Sequence, residues 1–287
     1  MKGLVPRGGR IVRARTEGAF LKALPKATHA ITWHFKREWF AKAPKLKVLA
    51  TPAAGQEFVP TKGPKGVKVH FGRYHGRIMS ESVLGFMLCW AKGFFAVREV
   101  PRSCRDWPRT WLSGRCTDVA GTTAVIVGYG NVGRAIGAKL MAMGVDVVGV
   151  TRHGVFHGTQ TFKHSSTQTL LREADWLILA LPSTTGTDDF LNAKLIRKLP
   201  RRCVVINVGR GNAIDEKALY TALKTRRLAG AYLDVRKHEP SATVLEAPGY
   251  VRGLADLPNC IIMPHASAFS PRYLLHCFEE LKDDGCL

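Results

Sequence analysis

Acidic residues are scarce in this chain. Its 287 residues hold 22 Asp and Glu against 43 Lys and Arg, a formal net charge of +21. A field of that sign attracts anions: phosphorylated cofactors, carboxylate substrates or nucleic acid. The basic residues are spread along the chain and form no basic arm, which disfavours nucleic acid as a partner. Metal-ligand spacing is lacking too. The seven cysteines are odd in number and widely spaced, with no C-x-x-C pair. That usage suits a reducing compartment without a structural metal. His153 and His157 are four apart, but Gly154 and Gly158 speak against a helix there, and no metal site is expected. No uncharged apolar run reaches about 18 residues, so no membrane span is expected. The nearest candidate, residues 83–97, carries Lys92 and reads as a buried helix. The N-terminus has no apolar signal core. A cytoplasmic protein is expected, with an organelle address left open by the basic start "MKGLVPRGGRIVRAR".

Internal repeats and low-complexity segments are also missing. What is present is 46% hydrophobic residues, enough for a buried core, on a chain long enough for about two domains. Residues 1–78 read as short β/α units: a strand at "RIVRA", a helix at "EGAFLKAL", a strand at "HAITW", a short helix at "EWFAKAP", then "LKVLATPAAG". That last stretch is a buried strand entering a small-residue loop at 52–55, where a ligand can approach backbone N–H groups. A long helix is expected from about Ser80 to Arg98, with Ser80 and Glu81 as its start. From Thr122 onward apolar strands alternate with helices, which implies a parallel sheet covered on both faces.

Gly128-Tyr129-Gly130-Asn131-Val132-Gly133 fits G-x-G-x-x-G between an apolar strand and a helix, the context of a dinucleotide turn. Gly128 allows the tight turn, Gly130 lets the backbone approach a pyrophosphate, and Gly133 lets helix and strand pack closely. The helix N-terminus presents N–H groups to phosphate. The next strand, "VDVVGV", commonly ends in an acid that binds the adenosine ribose. Here it ends in Thr151 and Arg152. An acid would repel a 2′-phosphate; Thr151 removes that repulsion and Arg152 adds a charge-assisted donor. The pair favours NADP over NAD.

Three later segments fall at strand ends: "NVGRG", "LDVRKHEP" and "MPHAS". Reduction of a 2-keto acid needs a cation for the carboxylate and carbonyl, an acid for the developing alkoxide, and a carboxylate that keeps that acid charged. Arg210, His265 and Glu239 suit these roles in turn.

With these motifs together, residues 45–280 resemble the D-isomer-specific 2-hydroxyacid dehydrogenase family, which includes glyoxylate/hydroxypyruvate reductases and phosphoglycerate dehydrogenases. The resemblance rests on "TPAAG", "VGYGNVGRAIG", "LPSTTGT", "INVGRGNAIDEKAL", "GAYLDVRKHEP" and "LPNCIIMPHAS". It implies an α/β protein of two domains: a doubly wound parallel-sheet Rossmann domain, and a smaller flavodoxin-like substrate domain that is N-terminally incomplete. The expected bounds are 1–98, completed by 269–287, for the substrate domain and 99–268 for the dinucleotide domain. The implied catalytic set is Arg210, Glu239 and His265. Gly128, Gly130, Asn131, Val132, Gly133, Thr151, Arg152, Pro182 and Asp234 would bind the cofactor, Asp234 near the nicotinamide carboxamide. Ala53, Ala54 and Gly55, with Arg210, would bind a small 2-keto or 2-hydroxy acid. A homodimer built through the cofactor domain and the arm at 101–116 is implied as well.

Two departures stand out. The family's usual His-Ile-Ala-Gly is here His265-Ala266-Ser267-Ala268, and Arg236 replaces a usually apolar residue, adding charge near the site. Some relatives of this fold are dinucleotide-sensing corepressors, so a non-catalytic binding protein is the alternative; the intact Arg210/Glu239/His265 set argues for the enzyme.

Overall fold

The computed structural model describes residues 9–55, 58–104, 106–152, 154–157, 160–162, 167–239 and 251–287. Its strands in chain order are β1 (His29–Ile31), β2 (Val48–Thr51), β3 (Lys68–Phe71), β4 (Thr123–Val127), β5 (Asp146–Thr151), β6 (Gly154–His157), β7 (Gln160–Phe162), β8 (Trp176–Leu179), β9 (Val204–Asn207), β10 (Gly230–Leu233) and β11 (Cys260–Ile262). The helices are α1 (Glu17–Ala23), α2 (His75–Ala91), α3 (Arg109–Ser113), α4 (Asn131–Ala142), α5 (Thr167–Leu170), α6 (Ala193–Ile196), α7 (Glu216–Lys224) and α8 (Tyr273–Asp283). The chain divides into two units, residues 1–75 with 269–287, and residues 76–268.

The smaller unit is a parallel sheet in the order β1-β2-β3. Alternate residues of β2 face opposite sides. Leu49 packs with Leu24, Phe35, Trp39 and Val59. Val48 and Ala50 pack with Cys277 and Leu281 of α8. Polar groups pin α8 as well: His70 Nε2 is 2.7 Å from Glu280 Oε1, and the Arg73 N–H donates to the same carboxylate at 3.0 Å. "RIVRA" forms no strand: residues 10–14 are exposed and pair with no neighbour among the described residues. β3 was not anticipated, because "KVHF" carries one lysine and one histidine and lacks an apolar run.

The larger unit holds an eight-stranded sheet in the order β11-β10-β9-β8-β4-β5-β6-β7. The pairs from β11 through β5 are parallel, and each strand from β8 to β10 is buried along its whole length. Val125 and Val127 of β4 face one core, with Leu177, Val205, Leu219 and Leu223. Ala124 and Ile126 face the other, with Ile136 and Leu140 of α4 and Val83 and Met87 of α2. The sheet is thus covered on both faces, the doubly wound arrangement. At its edge, β6 and β7 form an antiparallel hairpin on β5. His153, and the side chain of His157, lie outside the described residues.

The long helix begins at His75, five residues before the acidic start at Ser80 and Glu81. Gly76 lets it begin there: a Cβ would meet the Asn131 carbonyl oxygen at 2.9 Å and Ala135 Cβ at 3.0 Å. The stretch His75–Glu99 is 25 residues long and apolar enough to cross a membrane by length and composition. Burial of Val83, Phe86, Met87 and Ala91 in the unit's core accounts for that character.

Leu177 is fully buried between β4, β9 and the helices of its face. Leu177→Ala is expected to lower unfolding free energy by about 3 kcal/mol, through lost burial and a residual cavity. Urea denaturation of both proteins measures it.

Candidate active site

The dinucleotide turn joins the end of β4 to α4. Gly128 has φ +95°, and a Cβ there would meet the Ala180 carbonyl oxygen at 2.5 Å. Only glycine suits both the dihedral and the space. The N–H groups of Gly128 and Tyr129 donate to the Val150 carbonyl at 2.9 and 3.1 Å, which ties the turn to β5. The Tyr129 ring is buried against Gly149 of β5 and Gly137 of α4. Gly130 caps α4 with open space on its Cβ side, and no side chain caps the helix. The first N–H groups of α4, at Asn131, Val132 and Gly133, are thereby presented to an anion. A Cβ at Gly133 would collide with the Gly128 carbonyl oxygen, so helix and strand lie in direct contact. These features fit a dinucleotide pyrophosphate.

Thr151 ends β5, and its hydroxyl donates to the Gly154 carbonyl at 2.9 Å. Arg152 follows in the tight β5–β6 turn, with its side chain exposed. Pro182 is exposed beyond the end of β8, and its carbonyl accepts the Thr187 hydroxyl at 2.8 Å.

Arg210, Asp234 and His265 follow β9, β10 and β11, three neighbouring strands, at their C-terminal ends. Asn207 brackets the Arg210 turn: its Oδ1 accepts the Gly209 N–H and its Nδ2 donates to the Arg210 carbonyl, both at 3.1 Å. Arg210 is half-buried, and its Nη1 donates to the Gly209 carbonyl at 2.9 Å. His265 has φ +54°, a left-handed conformation that histidine adopts sparingly. Asp234 maintains it. The Asp234 carbonyl accepts the His265 N–H at 2.8 Å, and its buried carboxylate accepts the Ala266 and Ser267 N–H groups at 2.8 and 2.9 Å. The Ser267 hydroxyl donates to the second carboxylate oxygen. Ser82 of α2 donates to the Ser267 carbonyl at 2.9 Å.

The His265 Nδ1 lies 2.9 Å from Glu239 Oε1 and 3.1 Å from Oε2. That hydrogen bond to Glu239 holds the imidazolium pKa above its ordinary value, against partial burial and the Arg210 cation, which lower it. Nδ1 is engaged, so Nε2 is the nitrogen left for a substrate oxygen. Arg236, read as added charge near the site, is instead buried and neutralised: its guanidinium forks onto Glu216, with Nε–Oε1 at 2.7 Å.

The remaining sequence candidates lie in the smaller unit, after β2. Ala53 is buried and its N–H donates to Thr51 Oγ1 at 3.1 Å. Ala54 is exposed and Gly55 half-buried. The Tyr273 hydroxyl of α8 donates to the Pro52 carbonyl at 3.2 Å and fixes the entry to this loop. Three buried thiols are kept unreactive: burial pushes those of Cys203, Cys260 and Cys277 up to about 12.

Sequence reading missed Asn207, Ser267 and Glu216. Asn207 ends an apolar strand just before "VGRG", a position where a polar residue signals a bracketed turn. Ser267 stood out only as a departure from the family's usual sequence, and nothing local marks Glu216, because their partners are 33 and 20 residues away in the chain.

The NAD binding domain model of the D-isomer specific 2-hydroxyacid dehydrogenases matches residues 84–267. The chain belongs to that family. This dehydrogenase is 29% identical over 250 residues to the glycerate dehydrogenase of Methylorubrum extorquens, covering 84% of this chain and 75% of that one. It is 30% identical over 239 residues to the glyoxylate/hydroxypyruvate reductase B of Pectobacterium carotovorum, covering 80% and 71%. A family protein from Aeromonas salmonicida superposes with TM-score 0.73 at 28% identity, covering 96% and 88% of the two chains. The protein is therefore an NAD(P)-dependent D-2-hydroxyacid dehydrogenase, an oxidoreductase acting on CH–OH donors.

A raised His265 pKa keeps the imidazolium charged to higher pH. An NMR titration of His265 is therefore expected to lie above the ordinary imidazole range, and Glu239→Gln, which removes the largest cause, should move that titration to lower pH.

Proposed function

We propose that this dehydrogenase reduces small 2-keto acids of the glyoxylate and hydroxypyruvate type, with NADPH as the preferred cofactor. The observation that carries the reading is the His265–Glu239 pair on the strand end next to Asp234, with the Arg210 cation close enough to lower the imidazole pKa. When bound, the reduced nicotinamide supplies a hydride. Arg210 would grip the substrate carboxylate and polarise its carbonyl, and His265 Nε2 would give its proton to the developing alkoxide. Glu239 would hold the imidazolium charged and oriented. Within the smaller unit, the N–H groups of Ala54 and Gly55, which have no partner among the described residues, are of the kind that bind a carboxylate. Relatives named as glyoxylate reductases support the substrate class.

The cofactor preference rests on the end of β5. No acid stands there, Thr151 has its hydroxyl turned into the hairpin, and the exposed Arg152 follows at the turn. A charge-assisted bond to a 2′-phosphate contributes about 1.5–3 kcal/mol, roughly 10- to 100-fold in preference. Asp234 would lie toward the carboxamide end, and Pro182 beside the dinucleotide. A second copy of the chain is the proposed partner, through the arm at 101–116, where Trp107 is 81% exposed. The seven cysteines are all unpaired, which supports a reducing, cytoplasmic setting.

His265→Ala is expected to lower keto-acid reduction by about a thousandfold with cofactor binding retained; stopped-flow or steady-state assays over a small panel of 2-keto acids read it, and near-normal turnover would sink the assignment. Arg152→Ala is expected to reduce the NADPH-over-NADH ratio of kcat/KM by about tenfold or more. An unchanged ratio, or wild-type preference for NADH, overturns the cofactor reading.

A further inference from the structure

We propose that Glu216 and Arg236 form a positioning pair for this active site, holding the segment that leads to Glu239 against the turn that carries Arg210. The inference rests on the roles assigned above to Arg210, Glu239 and His265.

Both residues are nearly inaccessible, Arg236 at 6% and Glu216 at 5% exposure. The Arg236 Nε donates to Glu216 Oε1 at 2.7 Å and its Nη2 to Oε2 at 2.8 Å, a fork-on-fork pair. Glu216 Oε1 also accepts the Lys237 N–H at 2.9 Å, so one carboxylate binds both a side chain and the backbone of residues 236–237. The Arg236 Nη2 reaches the Val251 carbonyl at 3.1 Å. Glu216 opens α7, where the helix N-terminus favours its charge.

The clamped backbone lies directly on the residue after Arg210. A Cβ at Gly211 would run into the Arg236 carbonyl group and meet the Lys237 nitrogen. No side chain fits between the two segments, so their register is passed on by contact. Two exposed links close the same junction: Lys237 Nζ to Asp189 at 2.9 Å, and Asn212 Nδ2 to Asp188. Glu239 is three residues beyond Arg236, and its bond to His265 depends on where that segment is held.

Stability alone does not account for the pair. Apolar side chains of similar volume in place of a buried ion pair are often as stable or more so. What the pair adds is direction: two parallel hydrogen bonds and a third to backbone define one register, which apolar packing does not.

The test compares Glu216→Gln, Arg236→Lys and the double substitution Glu216→Leu with Arg236→Met. Glu216→Gln strands a buried guanidinium and should melt early. The double variant removes both charges and should melt within about 4 °C of wild type. Its kcat for keto-acid reduction should nonetheless fall about tenfold, with the alkaline fall of the pH profile moved to lower pH. Arg236→Lys, which keeps the charge and loses the fork, should show the same kcat loss and the same movement without unfolding. NMR titration of His265 reads its pKa without turnover and should show it lowered in Arg236→Lys. Wild-type kcat, pH profile and His265 titration in Arg236→Lys would overturn the proposal, as would a double variant with wild-type values. Full turnover in His265→Ala would instead remove the underlying assignment, while a moved His265 titration in Arg236→Lys would still support the positioning role.

Discussion

Asp234 is 1% exposed, and its carboxylate is engaged by the loop that carries His265. A buried carboxylate is costly unless its lone pairs are met. Here they are met by the Ala266 and Ser267 N–H groups and the Ser267 hydroxyl, so desolvating Asp234 and ordering the 265–267 loop are one event. The loop then keeps His265 at φ +54°, a conformation worth of order 1–2 kcal/mol of strain that needs such an anchor. The imidazole reaches Glu239 from that backbone. Ser267, one of three positions at which this segment departs from His-Ile-Ala-Gly, supplies the third donor.

The same sheet edge gathers the rest of the site by backbone contact more than by side-chain reach. Gly128 abuts Ala180 and Gly211 abuts Arg236, so the turns after β4 and β9 touch those after β8 and β10 without a side chain between them. Parallel strands bring all these turns to one end, and the helix that follows β4 opens there with its N–H groups. The uncapped start of α4 and the His265–Glu239 pair therefore both follow C-terminal strand ends of one sheet.

Charge behaves differently in the interior than the net value of +21 suggests. The arginine nearest the site in sequence, Arg236, is cancelled by Glu216 and adds no free charge to the site. Arg210 remains as the cation that His265 senses.

Much of the larger unit was legible beforehand, because β4, β5 and β8–β11 are apolar runs with turn residues at their ends and their burial requires helices on both faces. The glycine turn, Arg210, Glu239 and His265 were legible as residue types at strand ends. β3 and the β6–β7 hairpin were not, since edge and partly exposed strands lack an apolar signature, and "RIVRA" has such a pattern but pairs with no strand among the described residues. The early start of α2 depends on Gly76 fitting against α4, a contact with no local mark. By itself the sequence determined the order of strands and turns and the chemical groups at their ends. Only the tertiary structure decided that Nδ1 of His265 faces Glu239, that Asp234 locks the loop, and that Arg236 is neutral in effect. Each of those depends on partners 20 to 33 residues apart, brought together by the register of parallel strands.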